Sequence, residues 1–289
     1  MKGVIAAGGH GSRMAPITRA LNKHFLPIYD KPMIYYPIHT LMLAGVREHL
    51  VVSSGDDLEG YRRLLGDGSQ WGVRIEYAVQ EQPKGIAEVL LIAQSFTSGE
   101  PYALALGDNL FHGKNLARRL RLLAERGEGA AVLGYLTTRP SHYAVAELSD
   151  QGSVVGLEEK PTRPRSSWAV TGLYFYDACA ASFARELRPS HRAELEITDV
   201  NRRYLEQGAL HFERLSSDDH WFDTGTPESL FAAASFVRQE QRQNRTLVGC
   251  PAWAAAQAGW IETKKLEQLA RPLAHTSYGR RLLQLAGTA

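Results

Sequence analysis

Val4-Ile5-Ala6-Ala7-Gly8-Gly9-His10-Gly11-Ser12-Arg13 carries an apolar run straight into a loop holding three glycines and a basic residue. Four apolar residues are too few for a helix and suit a buried strand. Glycines after such a strand let the backbone approach a ligand and turn its N–H groups toward an anion, although the same residues also make plain tight turns. A dinucleotide fingerprint would need a third glycine where Met14 stands, and Arg13 inside the loop suits a triphosphate better than a dinucleotide. Lys23 is a second cation that could return to the same anion, with ordinary surface solvation as its plainer explanation.

Outward from this strand, further strand-like runs at His49 to Ser53 and Tyr102 to Leu106 are separated by helical stretches at His39 to Ala44 and Glu88 to Gln94. More strands follow at Ala130 to Tyr135, Ala144 to Leu148, Val154 to Leu157, Ala169 to Tyr176 and Leu210 to Leu215. Helices are read at Asn115 to Glu125, Ala180 to Glu186 and Thr198 to Gln207, the last with Thr198 as its N-cap. This alternation predicts an α/β fold, Rossmann-like, with a mixed, mostly parallel central sheet and helices on both faces. Pro227 to Asn244 reads as a helix, and about two shorter helical pieces follow Ala252. The simplest organisation is an α/β core over residues 1–240 and a C-terminal helical extension over 241–289 that serves packing or assembly.

Composition sets the outer bounds. A chain of 289 residues with 44% hydrophobic and 22% charged side chains can bury its own core. A net charge of +2 without Lys/Arg clusters argues against nucleic acid or an anionic membrane as partner. Cys179 and Cys250 lack any disulfide or zinc spacing, and no run of about 18 apolar residues occurs, so a cytoplasmic protein is expected.

Leu104-Ala105-Leu106-Gly107-Asp108-Asn109 places an aspartate just past an apolar strand, where open α/β sheets bind ligands. Asp223, in Trp221-Phe222-Asp223-Thr224-Gly225-Thr226, stands in a comparable setting. Either alone reads as a helix cap; together they could share one Mg²⁺ between phosphates. Glu158-Glu159-Lys160-Pro161 offers carboxylates for sugar hydroxyls and a lysine for a phosphate, or simply a charged turn.

These segments, with Lys23 and Asp30 to Pro37, Leu64 to Gly72, Tyr77 to Gln80, Ala169 to Asp177 and Glu194 to Asp199, together resemble the sugar-1-phosphate nucleotidyltransferases along nearly the whole chain. The resemblance implies attack of a sugar 1-phosphate on the α-phosphorus of a nucleoside triphosphate, with Mg²⁺ as cofactor and pyrophosphate as leaving group. The pair implied most closely is dTTP with glucose 1-phosphate. Arg13 and Lys23 would hold the leaving phosphates on a loop of Gly8, Gly9, Gly11 and Ser12, and Asp108 and Asp223 would bind the metal. Gln80 and Gly85 would meet the base, Tyr143, Ala144 and Val170 would line the hexose pocket, Glu159 would hold the sugar hydroxyls and Lys160 the sugar phosphate. It also implies a homotetramer with a second nucleotide site at subunit contacts.

Departures from the family pattern bear on substrate identity. Ser12 and Met14 stand in place of Thr and Leu, which keeps the hydroxyl. His24 takes the place of a Gln after Lys23 and introduces a group that titrates near neutral pH. Glu88 replaces an amide near the base, Ala144 replaces a glycine near the sugar, and Trp168 replaces a tyrosine. These leave open another sugar phosphate or UTP, and a change around Ala252-Trp253 leaves the second nucleotide site open. A nicotinamide enzyme would want an acidic residue ending the second strand, where Ser53-Ser54-Gly55 stands instead. A nucleotide-binding regulatory homologue would have no need of Arg13, Lys23, Asp108, Lys160 and Asp223 together.

Overall fold

The computed structural model describes residues 1–9 and 11–287, so His10 of the glycine loop lies outside the described residues. Lys2–Ala6 lies at the middle of the central sheet, parallel to Glu48–Ser53 on one side and to Tyr102–Leu106 on the other. Arg74–Val79 extends the parallel half beyond Glu48–Ser53. On the other side Trp168–Tyr176 runs antiparallel to Tyr102–Leu106, and pairs in turn with Ala130–Leu136 and Ala144–Leu148. Val154–Glu159 lies antiparallel to Ala144–Leu148, and Leu210–Arg214 parallel to Ala130–Leu136, giving nine strands in this sheet among the described residues.

Strand side chains alternate between two apolar layers because successive Cβ atoms point to opposite faces. Val4, Leu50, Val52 and Leu104 pack on one side with Ala87, Leu90, Val200 and Tyr204 from the helices Ile86–Ile92 and Ile197–Glu206. Ile5, Val51, Ala103 and Ala105 pack on the other with Ile38 and Leu41 of Tyr35–Leu43 and Leu120 of Leu116–Glu125. Each Val, Leu or Ile among them contributes roughly 1.5–3 kcal/mol on full burial, which holds the expected helix layers on both faces.

Where about two helical pieces were expected, three α-helices follow the long helix Pro227–Gln243 among the described residues: Pro251–Gln257, Thr263–Ala270 and Ser277–Ala286. Ala254, Ala255, Leu266 and Leu282 join the apolar layer of Tyr35–Leu43. Lys31, almost fully buried, ties this region together: it pairs with Asp30, donates to Gln241 Oε1 at 2.9 Å and lies over the rings of Tyr36 and Tyr278.

Thr198 is not an N-cap. The N-cap position of Ile197–Glu206 is Glu196, whose side chain makes no capping bond, and Thr198 is inside the first turn with its hydroxyl donating to Glu159 instead.

A short antiparallel ribbon, Asn109–His112 with His220–Asp223, leaves the main sheet at the end of Tyr102–Leu106. Its register sets Asp223 opposite Asn109, and Thr224 donates to the Asp108 carbonyl through both N (2.9 Å) and Oγ1 (2.7 Å). Two aspartates far apart in the chain thus sit at one sheet end.

Candidate active site

A cleft opens at the carboxyl ends of Lys2–Ala6 and Tyr102–Leu106, where a parallel α/β sheet places its ligand site. Gly8 and Gly9 form one wall, Gly9 with φ +94°, a conformation open to glycine. Gly11 and Ser12 do not line the cleft; Gly11 turns the chain at φ +56° against Thr18, whose hydroxyl donates to its carbonyl. Arg13 reaches the cleft from that turn, and its guanidinium stands beside Gly225, where a Cβ would come within 2.6 Å of Nη2.

Lys23 and Asp108 form an ion pair, both largely buried. Asp108 also accepts from Asn109 Nδ2 at 3.0 Å, and Asn109 Oδ1 accepts from Gly172 N (3.1 Å) and Trp221 Nε1 (2.5 Å), so the aspartate is held from two strands and the ribbon. Burial pushes the Asp108 carboxyl up, yet the charge and hydrogen bond of Lys23, with Asn109, hold it well below the ordinary carboxylate range. Asp223 goes the other way: burial first, and the Asp108 charge second, raise it against the opposing pull of Arg13 and Lys23.

His24 does not titrate near neutral pH. It is almost fully buried, and burial followed by the Lys23 charge lowers it to about 3. Its Nδ1 lies 2.7 Å from Asn22 Oδ1, an acceptor only, so the neutral ring carries its proton there. A Cβ at Gly107 would meet Nε2 at 2.6 Å, so this ring backs the turn that presents Asp108.

On one flank of the cleft Gln80 is buried and donates through Nε2 to Glu88 Oε2 at 2.7 Å. Gly85, at φ +111°, is pressed on Leu195, where a Cβ would come within 2.4 Å of the carbonyl oxygen. Leu195 N donates to Lys84 O (2.7 Å) and Ala87 N to Leu195 O (3.2 Å), joining this flank to the opposite one.

That opposite flank carries Glu159, Lys160, Tyr143, Ala144 and Val170. Ala144 faces Glu159 in the strand register, and Lys160 N donates to Tyr143 O at 3.1 Å. Lys160 has φ +42°, a strained position for a side chain that bears a charge into the cleft. Glu158 is exposed and outside the cleft, and Trp168 packs on Phe212 and Arg214 away from it. Trp221 stacks edge-on against Tyr143 at 4.9 Å.

Sequence reasoning passed over Arg192. It stands in the cleft wall within reach of three carboxylates, Glu194 (2.9 Å), Glu196 (3.4 Å) and Glu159 (3.5 Å). The available signal was its place two residues before the Glu194 to Asp199 segment. A cation beside Lys160 in a row of acids is placed to take over an anion when one arrives.

The arrangement offers anion-binding cations at its centre, paired carboxylates for a hard cation, and a polar wall for hydroxyls. The nucleotidyl transferase family model matches residues 2–240. A glucose-1-phosphate thymidylyltransferase of Xanthomonas campestris pv. campestris is 50% identical over 285 residues, covering 99% of this chain and 97% of that protein. One of Neisseria meningitidis serogroup A is 48% identical, with 99% of each covered. A crystal structure of a Bacillus anthracis protein in complex with a sucrose superposes with TM-score 0.77 at 37% identity, over 82% of this chain and 95% of that one. With the glycine loop, the aspartate pair and the acid-and-lysine wall all inside the matched span, the chain belongs to the nucleotidyl transferase family.

Proposed function

We propose that the protein transfers dTMP from dTTP to glucose 1-phosphate, releasing pyrophosphate and forming dTDP-glucose. The observation that carries this reading is the order of groups across one cleft: Gln80 and Gly85 on one flank, Lys23, Arg13, Asp108 and Asp223 at the centre, Glu159, Lys160 and Arg192 on the other. The thymidylyltransferase names of the relatives supply the substrate pair.

In this scheme a phosphate oxygen of the sugar bonds to the α-phosphorus while the bond to the β-phosphate oxygen breaks, and pyrophosphate leaves. Lys160 and Arg192 hold the attacking phosphate, and Glu159, aimed by Thr198, accepts from sugar hydroxyls. Lys23 and Arg13 hold the leaving phosphates and neutralise their growing charge. Little else is asked of the protein than positioning and electrostatics.

Asp108 and Asp223 suit Mg²⁺: two carboxylates, one of them raised by burial and then by the other's charge, gain from a divalent ion between them. Among the described residues no set of three or more His, Cys, Asp or Glu side chains is arranged to hold a metal ion, so phosphate and water oxygens would complete the shell, as Mg²⁺ prefers. When bound, the ion supplies charge neutralisation between the phosphates.

The test is pyrophosphate release and product mass with Mg²⁺ and panels of nucleoside triphosphates and sugar 1-phosphates. dTTP with glucose 1-phosphate should dominate. Turnover confined to another pair would overturn the substrate assignment and turn attention to Ala144, testable as Ala144→Gly; no turnover despite nucleotide binding would overturn the catalytic one.

A further inference from the structure

Gln80 is an amide, and an amide offers a base either an acceptor or a donor according to which way it is turned. Here the turn is decided by a neighbour. Glu88 Oε2 lies 2.7 Å from Gln80 Nε2 and also accepts the Lys84 backbone N–H at 3.1 Å. A carboxylate accepts only, so Nε2 must face it and Oε1 must face away. Oε1 lies against Gly8 in the cleft wall, where a Cβ would come within 2.4 Å, and it accepts no hydrogen bond among the described residues. The residue is 6% exposed and lines the cleft, so an oxygen without a protein partner there is open to a donor from the ligand.

We propose that Glu88 is a positioning residue for base selection: by fixing the Gln80 amide it presents an acceptor to the nucleotide and favours bases whose edge carries an imide N–H, as thymine and uracil do, over cytosine. The inference rests on the assignment of the Gln80 flank to the base. In the same register cytosine sets its bare N3 against Oε1, acceptor against acceptor, whereas a freely turning amide could offer it Nε2–H. The carboxylate at position 88 thus adds discrimination without touching the nucleotide.

The experiment compares dTTP with dCTP on wild type, Glu88→Met and Glu88→Gln, by calorimetric titration with Mg²⁺ and by steady-state pyrophosphate release with glucose 1-phosphate. Glu88→Met keeps the length of the side chain and removes both acceptors; its dTTP affinity should fall about three- to tenfold, with dCTP less affected and the change read in KM more than in kcat. Glu88→Gln can place its own Oε1 where Glu88 Oε2 now takes both N–H groups and should restore most of the preference. Thermal melts identify a variant that fails to fold, in which case Glu88→Ala replaces Glu88→Met. If wild type binds dTTP no better than dCTP, the base assignment itself fails and the inference with it. If wild type discriminates and folded Glu88→Met keeps the same ratio, the base assignment stands and the role given to Glu88 is overturned.

Discussion

Lys23 and Asp108 neutralise each other inside the cleft, a cation from a turn after the glycine loop joined to a carboxylate at the end of Tyr102–Leu106. Under the proposed function the lysine takes phosphate and the aspartate metal, so the ion pair would loosen as these arrive. Lys23→Met should lower kcat by about 10²- to 10³-fold, the scale of losing one preorganised charge stabiliser, with a smaller change in nucleotide KM. Steady-state pyrophosphate release decides it, and a loss under tenfold would remove Lys23 from the chemistry.

Arg192 shares three carboxylates and stands beside Lys160. Arg192→Ala should raise KM for the sugar phosphate about tenfold or more, the scale of a charge-assisted hydrogen bond, and leave KM for the nucleotide closer to its starting value. An equal rise in both constants would place the arginine in general loop structure.

Gly85 is held at φ +111° against the Leu195 backbone. Gly85→Ala adds a Cβ that must displace that backbone, at a cost of roughly 1–3 kcal/mol, and should raise KM for both substrates together. Measuring the two constants side by side checks it; a change in one alone would show that the flanks respond separately.

His49 has both ring nitrogens buried without a well-formed hydrogen bond, and burial, opposed only in part by the Val46 backbone, lowers it from 6.5 to about 4. Below pH 6.5 the unfolded chain binds a proton that the folded chain refuses until about pH 4, so folding stability falls as pH drops through that window. The slope is about 1.4 kcal/mol per pH unit for this residue. His24, lowered to about 3, adds in the same direction. His49→Leu should make the dependence of urea midpoints between pH 7 and 5 shallower, the contributions of His24 and His39 remaining, and raise stability at neutral pH by about 1 kcal/mol, since two poorly partnered nitrogens leave the core. An unchanged slope would sink this account.

The strands at Tyr102–Leu106 and Ala144–Leu148 were legible because apolar runs with clear ends admit one reading. Arg74–Val79 escaped notice: Arg74 and Glu76 interrupt it, and it is an edge strand whose sequence has one face to bury. The helix Gly55–Leu65 hid behind its charges, with only Leu58, Tyr61 and Leu65 buried. The candidate site residues Lys23, Asp108, Lys160 and Asp223, which the structure brings to one cleft, could be picked from spacing and resemblance, since short motifs name them. Their companions could not. Thr198 aims Glu159 across 39 residues and Asn109 ties Asp108 to Trp221 across 112, contacts that exist through pairing of distant segments and leave no local signal. The state of His24 was misread for the same reason: nothing adjacent in sequence reveals that the ring is walled in behind Gly107.

The two backbone hydrogen bonds between Leu195 and the Lys84 to Ala87 stretch join the flanks mechanically, so that a shift of one backbone moves the other. A chimera that imports the 80–88 segment of a relative to alter nucleotide choice carries half of a seam whose other half is the 192–196 segment. Such grafts should succeed when both segments come from the same donor, which makes the pair, and not either loop, the natural unit for exchanging parts between enzymes of this kind.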